Sequence, residues 1–331
     1  MDGIPTTSLY PKYYRNFRTT VLSEIFQTLR SRKYYAMCRG GSRNRAIPRS
    51  TMSAFEDYDV VSRNYDANRG PIGLETVSAF IQFYTNKPLQ ELHVFDAGCG
   101  TGNYTKALLE LGVGQVTMVD ASPGMIMKAK EKLNDEFEKG RVKFVENLLP
   151  SLPFPDDTFD VVMFNMVLHH LDKHRENNTD EYPNITTAMK EASRVLRKGG
   201  VVSITTTLRG QFQKGVWNYQ LHEEITLIYA PILQTSDFNK KAFAEAGIDM
   251  KQKLSLLDVP LVTNHDFYEG PLHKEWRDSD SYWSYATEAE VDEVKKRIWA
   301  MKKAGTLEEW CKEHDKTSTN GAITVIIGTV L

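Results

Sequence analysis

Short apolar runs alternate with segments of helical spacing between residues 92 and 206. Strands that are covered on both faces of a parallel sheet read as apolar runs, whereas helices repeat their apolar residues every three or four positions. The runs predict strands at 92–96, 116–119, 142–145, 159–164 and 201–206, and the spacing predicts helices at 104–111, 123–133 and 185–196. This order predicts an α/β fold with a doubly wound, Rossmann-like sheet.

The pattern is less regular outside this region. Thr287 and Glu290 form a capping-box pair before an apolar stripe, and Thr306 and Glu309 repeat the pair. Helices are predicted at 73–84, 236–246, 287–304 and 307–312, and the apolar run at 322–327 predicts a strand that returns to the sheet. We expect a mixed, mostly parallel seven-stranded sheet, one strand more than the apolar runs mark, with a helical, aromatic-rich substrate cap. The core is predicted at 52–208, completed by 236–258 and 321–331, and the cap at 209–235 and 259–320.

Residues 1–51 differ in charge from the rest of the chain. They hold ten Lys or Arg residues against Asp2 and Glu24, a net charge of +8, and subtracting this from the total of −2 leaves −10 for the remainder. An Arg-rich leader with few acids is typical of a mitochondrial transit peptide, but Asp2 and Pro5 argue against one, and a disordered tail is the alternative. We expect an intracellular soluble protein, cytoplasmic unless the leader directs it to mitochondria.

Composition narrows the classes of partner. Cys38, Cys99 and Cys311 lie far apart, which indicates a reducing compartment and matches no zinc pattern, so no metal is expected. No apolar run reaches the length of a membrane span, and the acidic body offers no basic face for nucleic acid. We expect a monomer or homodimer that acts on a small molecule.

The motif VFDAGCGTGN carries the most specific chemical signal in the chain. A predicted strand ends in Asp96 and is followed by Gly98, Gly100 and Gly102, then by a helix. Glycines let the backbone turn sharply and approach a ligand, and a helix N-terminus offers free N–H groups. Dinucleotide-binding loops place their third glycine one residue later, where this chain has Asn103. The spacing therefore favours an adenosyl ligand over a nicotinamide dinucleotide.

Asp120 ends the second predicted strand. A carboxylate in this place accepts hydrogen bonds from both hydroxyls of a ribose. Because successive parallel strands end at one edge of the sheet, we expect Asp96 and Asp120 to flank the glycine loop.

The region from residue 65 to 206 resembles a class I S-adenosylmethionine-dependent methyltransferase of the small-molecule type, similar to the type 11 family. The motifs that carry the resemblance are DAGCGTG at 96–102, VDAS at 119–122, LPFPDDTFD at 152–160, FNMVLHHL at 164–171 and VLRKGG at 195–200. The resemblance implies S-adenosyl-L-methionine as methyl donor. The residues implied to bind it are Asp96, Gly98, Cys99, Gly100, Gly102, Asp120, Ala121, Ser122 and Asn165, with Cys99 as a small buried filler.

Two further sites, one for adenine and one for a lid over the donor, are implied by the same resemblance. The family often has an acid after the third strand that meets the adenine amino group, and here that place falls on Leu148, next to Asn147. Tyr65 and Arg69 precede the first strand, where similar enzymes bring a lid over the donor. Their alternative is a core aromatic and a surface ion pair.

His169 and His170 follow the fourth predicted strand, at the edge where donor and acceptor meet. A histidine near neutral pKa takes a proton from an acceptor hydroxyl or amine. The alternative is that one or both rings pack against the sheet and cap the loop. Methyl transfer to a good nucleophile does not require a base, because alignment alone supplies much of its rate.

The last third of the chain is rich in aromatic residues, from which we select Trp217, His222 and Trp283 as substrate candidates. Such clusters most often form a core, but aromatic faces also build dry pockets and bind cations. We expect methyl transfer to an N, O or S nucleophile of a small-molecule metabolite. The alternatives are a catalytically silent regulatory module that binds S-adenosylmethionine and a nicotinamide-dependent oxidoreductase.

Overall fold

The computed structural model describes residues 70–173, 180–257, 259 and 265–331. The basic leader at 1–51 and the lid candidates Tyr65 and Arg69 lie outside these residues. None of the helices within the described ranges combines the length and apolar character needed to cross a bilayer.

A single sheet organises the described chain, with the order β3-β2-β1-β4-β5-β7-β6. The strands are β1 His93–Ala97, β2 Gln115–Asp120, β3 Val142–Glu146, β4 Phe159–Asn165, β5 Leu196–Thr206, β6 Ile248–Leu256 and β7 Ile323–Val330. The first five strands pair in parallel, and β7 lies antiparallel between β5 and β6. The prediction of a mixed, mostly parallel seven-stranded sheet is therefore confirmed.

Helices cover both faces of this sheet. They are α1 Leu74–Thr85, α2 Asn103–Glu110, α3 Pro123–Lys132, α4 Asn134–Glu138, α5 Pro183–Val195, α6 Arg209–Gly215, α7 Glu223–Tyr229, α8 Ser236–Glu245, α9 Lys274–Asp278, α10 Glu288–Ala304, α11 Leu307–His314 and α12 Thr317–Asn320. Val94 faces a core shared with α1 to α3 and with the aromatic cluster, whereas its neighbour Phe95 faces a second core shared with α5 and α8. The central strands are buried on both faces, which explains their uniformly apolar sequences.

Of the two predicted capping boxes, the one at the start of α10 forms and the one at the start of α11 does not. The Thr287–Glu290 capping box forms, with the Thr287 N–H donating to Glu290 Oε2 over 2.7 Å. Thr306 does not cap α11, because its hydroxyl and its N–H both donate to Met301 O and close the end of α10 instead. The helix predicted at 185–196 ends at Val195, since the next residue already pairs with β4 as the start of β5.

Candidate active site

The glycine loop turns directly after β1. Gly98, Gly100 and Gly102 all have left-handed backbones, with φ of 73°, 53° and 82°. The N–H groups of Gly98 and Cys99 donate to Val119 O over 2.7 and 2.9 Å, so the loop is fixed to the end of β2. A left-handed φ strains every residue that carries a Cβ, which accounts for three glycines in five positions.

Each glycine also has its own surroundings. A Cβ on Gly98 would lie 2.3 Å from Val167 Cγ2, and one on Gly102 would lie 2.9 Å from Met118 Cε. A Cβ on Gly100 would meet no atom within 4 Å. A side chain at the first glycine would therefore collide with Val167 and one at the third would displace the flexible end of Met118, whereas the second presents an open backbone surface.

That open surface belongs to a cavity of about 540 Å³ at the carboxyl ends of β1 and β4. We call it the donor cavity. Its lining residues are Gly70, Ile72, Asp96, Gly98, Cys99, Gly100, Thr101, Asn103, Tyr104, Asn165 and Met166. Five predicted donor residues are thus brought together here, namely Asp96, Gly98, Cys99, Gly100 and Asn165.

Asp96 is a buried carboxylate in the wall of the donor cavity, with 1% of its surface exposed. Thr105 Oγ1 donates to its Oδ2 over 2.8 Å, and Asn165 Nδ2 approaches its Oδ1 at 3.4 Å. Burial raises the pKa of Asp96 to about 6, while the hydrogen bonds from Thr105 and Asn165 lower it. Within the described ranges no Lys, Arg or His forms an ion pair with Asp96, so the site favours a positively charged ligand.

Asp120 holds the glycine loop in place by accepting hydrogen bonds from the backbone. Its Oδ2 accepts from the Gly100 N–H over 2.8 Å and its Oδ1 from the Ser122 N–H over 2.9 Å. Burial raises the pKa of Asp120, and these backbone hydrogen bonds lower it. The Ser122 hydroxyl caps α3 by accepting from the Met125 N–H over 3.2 Å, with Ala121 between the two residues. The ribose role of Asp120 stays a prediction.

The adenine candidates lie away from the donor cavity. Asn147 Nδ2 donates to Leu148 O over 3.2 Å and to Ser151 O over 2.6 Å, so its amide N–H groups are engaged with the backbone. The Leu148 side chain is 60% exposed, on a turn beyond β3. Neither residue lines the cavity, and their role toward adenine stays a prediction.

The segment after β4 connects the donor cavity to the cap. Met166 has φ of 53°, which is unusual for a residue with a side chain, and its N–H donates to Thr205 O over 2.8 Å. His169 and His170 follow in a short 3-10 helix with ring centroids 4.0 Å apart. His169 is 5% exposed and lines a second cavity, whereas His170 does not. Of the two predicted bases only His169 lines this cavity, and a catalytic role for either stays a prediction.

The second cavity, which we call the acceptor cavity, has a volume of about 310 Å³. It is lined by Met166, His169, Thr207, Phe212, Tyr219, Tyr229, Leu233, Asp280 and Ser281. Met166 belongs to both cavities, so the two meet at the end of β4. A group bound in one cavity is thereby brought next to a group bound in the other.

The three predicted substrate residues lie elsewhere. The Trp217 indole N–H donates to His265 O over 3.3 Å inside the core, and Trp283 packs on Tyr282 with ring centroids 5.1 Å apart. His222 Nε2 lies 3.2 Å from Glu293 Oε2 at the start of α7. None of these side chains lines the acceptor cavity, because their rings serve packing and helix contacts. Sequence reasoning missed Phe212 and Asp280, which stand in no motif.

Comparisons with known proteins agree with this arrangement. Residues 95–204 match a family model described as a methyltransferase domain. Demethylmenaquinone methyltransferase from Lactiplantibacillus plantarum is 29% identical over 51% of this chain and 70% of its own length. Ubiquinone/menaquinone biosynthesis C-methyltransferase from Shewanella sediminis is 33% identical over 34% of this chain and 41% of its own length. The chain belongs to the class I S-adenosylmethionine-dependent methyltransferases. The nicotinamide alternative is set aside by this result.

A solved structure supports the fold of this methyltransferase. A protein from Anabaena variabilis, assigned to the methyltransferases of an antibiotic biosynthesis pathway, matches with a TM-score of 0.60 at 18% identity. The match covers 78% of this chain and 97% of that one. It therefore extends well beyond the residues 95–204 that the family model matches.

The donor cavity of this methyltransferase has features that fit S-adenosylmethionine. The donor carries an ammonium group, and Asp96 is a buried carboxylate without a cationic partner in the described chain. Asn165 Oδ1 is buried and accepts no hydrogen bond within the described residues, so it is placed to accept one from a ligand. Gly100 adds backbone with no side chain in the way. The residues that would hold the donor are therefore Asp96, Gly100, Asn165 and, at the rim, Asp120.

Proposed function

We propose that this methyltransferase transfers the methyl group of S-adenosylmethionine to an N, O or S nucleophile of a small-molecule metabolite bound in the acceptor cavity. The observation that carries the proposal is the meeting of the two cavities at Met166. Alignment of nucleophile and methyl carbon supplies much of the rate of such a displacement. That alignment requires a cavity beside the donor that holds the nucleophile and excludes water.

The residues of the chain have separate tasks in this reaction. Asp96 and Asn165 hold the donor through its ammonium group, and Met166 lines both cavities at the place where donor and acceptor meet. S-Adenosylmethionine supplies an electrophilic methyl group. The nucleophile forms a bond to the methyl carbon while the carbon–sulfur bond breaks and its electron pair stays on sulfur. The proton of the nucleophile passes to His169, the titratable ring that lines the acceptor cavity.

The burial of the acceptor cavity supports a small substrate. Tyr219 and Tyr229 are almost fully buried, and Phe212 lies between them with ring centroids at 4.3 and 5.0 Å. Their apolar surface excludes water from the methyl group, which prevents its loss to hydrolysis. The space between these walls, about 310 Å³ with part of it open to solvent, accommodates a small molecule.

Release of S-adenosylhomocysteine tests the proposal directly. The methyltransferase is incubated with methyl-labelled S-adenosylmethionine and fractionated small-molecule extracts, and label transfer is followed by mass spectrometry. We expect label on nitrogen, oxygen or sulfur of one metabolite class. Label on a carbon atom of demethylmenaquinone, the compound in the name of one relative, would overturn the nucleophile assignment. Donor binding without any turnover would favour the silent regulatory module.

The pH dependence of donor binding provides a further prediction. Burial holds the pKa of Asp96 near 6, so its carboxylate is ionised at pH 8 and protonated at pH 5. The ionised form attracts the ammonium group of S-adenosylhomocysteine, and the bound cation in turn lowers the pKa of Asp96. We therefore expect the Kd to be constant above about pH 7 and to rise as the pH falls below about 6. Isothermal titration at a series of pH values measures this, and a flat profile would show that Asp96 does not contact the ammonium group.

A further inference from the structure

Asp280 is a buried carboxylate in the wall of the acceptor cavity, with 4% of its surface exposed. Its Oδ2 accepts from the Tyr219 hydroxyl over 2.7 Å, and its Oδ1 accepts from the Tyr282 N–H over 3.0 Å. In the described chain no Lys, Arg or His forms an ion pair with it. A carboxylate has room for about four hydrogen bonds, so two hydrogen-bonding positions remain for a ligand.

Two other buried acids of the described chain, unlike Asp96, are compensated within the protein. Asp160 lies 2.7 Å from Lys87 Nζ and 2.8 Å from Arg197 Nη1. Asp172 accepts the backbone N–H groups of Asn184 and Ile185 at the N-terminus of α5, where the helix dipole favours negative charge. Asp280 caps only a five-residue 3-10 helix. Because burying a charge is costly unless it is paired, Asp280 is suited to a cationic ligand.

Three aromatic rings complete the wall next to this carboxylate. Phe212, Tyr219 and Tyr229 pack on one another, and the Tyr229 hydroxyl lies 3.0 Å from Ser281 Oγ. Aromatic faces attract cations through their quadrupole, and this attraction strengthens away from water. Among the described residues the lining contains no Lys or Arg, so it holds no permanent positive charge that would attract an anionic acceptor.

The residues that line the acceptor cavity come from two different parts of the fold. Met166, His169 and Thr207 come from the ends of β4 and β5, and Met166 is shared with the donor cavity. Asp280 and the three rings come from the cap. An acceptor that extends from one side to the other thus presents one end to the donor and the other to the carboxylate.

We infer that the acceptor carries a positively charged amine, which binds between Asp280 and the rings of Phe212, Tyr219 and Tyr229. The inference rests on the proposed function for the identity of the cavity and adds the chemical class of its substrate. The nucleophile that receives the methyl group lies at the other end of this molecule, beside Met166 and His169.

Three ligands of the same shape test the charge preference. 2-Phenylethylamine, 2-phenylethanol and phenylacetate share a ring and a short chain and differ in charge at neutral pH. Each is titrated calorimetrically into the full-length protein saturated with S-adenosylhomocysteine. We expect the amine to bind at least about tenfold more tightly than the alcohol, a difference of about 1.4 kcal/mol, and phenylacetate to bind most weakly. Equal or tighter binding of the alcohol would overturn the inference.

Two variants assign the preference to one carboxylate. Asp280→Asn keeps the shape of the side chain and removes its charge, so we expect the ratio of amine to alcohol affinity to fall to near one. Asp278→Asn is the matched control, since Asp278 is half-exposed and pairs with Lys274 on the surface. An unchanged ratio in Asp280→Asn would contradict the inference. If Asp280→Asn fails to fold, titration of the three ligands into the wild-type protein still tests the charge preference.

Failure of the inference is separable from failure of the proposed function. Titration of S-adenosylhomocysteine alone measures the donor cavity, and the three ligands are also titrated without it. Donor binding together with a preference for the alcohol would refute only the cationic acceptor. Absence of donor binding would refute the proposed function, and a preference for the amine would then still support a cation site at Asp280.

Discussion

Replacing Asp96 with asparagine is expected to weaken S-adenosylhomocysteine binding by about 10- to 100-fold, the loss typical of a hydrogen bond to a charged group. Asparagine retains an oxygen that accepts from Thr105, so the wall of the donor cavity keeps its shape. Only the negative charge that faces the ammonium group is removed. Isothermal titration of Asp96→Asn against wild type at pH 8 measures the change.

The same substitution is expected to stabilise the ligand-free protein. Burial raises the pKa of Asp96 from its ordinary value of 3.8 to about 6, so the folded state disfavours the ionised form. The resulting penalty is absent below about pH 4, develops between about pH 4 and 6, and is complete above about pH 6, where it is on the order of 3 kcal/mol. Urea unfolding of Asp96→Asn and wild type at pH 8 and pH 4 tests this prediction. The variant should be the more stable protein at pH 8, and the difference should vanish at pH 4.

Asp160→Asn is the matched control for Asp96→Asn. Asp160 is also buried on a central strand, but it pairs with Lys87 and Arg197 and accepts from the His93 N–H over 2.9 Å. Its loss leaves two cations without their partner, so we expect destabilisation and unchanged donor affinity. Stabilisation of both variants, or weaker donor binding by both, would contradict the distinction between a ligand-binding and a structural carboxylate.

Replacing Gly98 with alanine is expected to reduce methyl transfer at least about 100-fold, the order of loss that a displacement of about 1 Å causes at a reacting centre. The new Cβ would lie 2.3 Å from Val167 Cγ2 and 2.9 Å from Val167 Cβ, so the segment after β4 has to move. That segment carries Met166 and His169. Kinetics with a fixed acceptor measure the loss, and we expect kcat to fall in addition to any change in KM.

Gly140→Ala separates backbone strain from this clash. Gly140 has φ of 71°, close to the 73° of Gly98, but a Cβ there meets no atom within 4 Å. We expect it to cost about 1–2 kcal/mol of stability, the usual penalty of a left-handed alanine, with little loss of activity. Adding Val167→Ala to Gly98→Ala removes two of the three clashing atoms and is expected to restore part of the rate. Equal loss of activity in Gly98→Ala and Gly140→Ala would show that contact with Val167 is irrelevant.

Much of the fold was predictable because its signals are local. Each of β1 to β5 is marked by an apolar run, and the glycine loop and Asp120 follow strand ends that meet at one edge of a parallel sheet. β6 was not predicted as a strand because it lies at the edge of the sheet and is mostly exposed, so its sequence DMKQKLS shows no apolar run. An edge strand takes its conformation from its neighbour, here β7.

The acceptor cavity was less predictable because no single segment forms it. Phe212 and Asp280 lie far apart in the chain and meet only when α6 and the residues around 280 pack together. The aromatic content of the cap predicted a pocket of this kind, but it did not indicate which rings line the pocket and which fill the core. Trp217 has a larger ring than Phe212 and was the more obvious candidate. Its side chain is nevertheless completely buried, and its indole N–H donates to His265 O.

A crystal structure of the full-length protein with S-adenosylhomocysteine tests the central claim most directly. We predict that the ligand occupies the donor cavity, with its ammonium group on Asp96 and Asn165 and its sulfur facing Met166 at the entrance to the acceptor cavity. A ligand whose sulfur points away from Met166, or that lies in another part of the molecule, would contradict the account of two cavities meeting for methyl transfer.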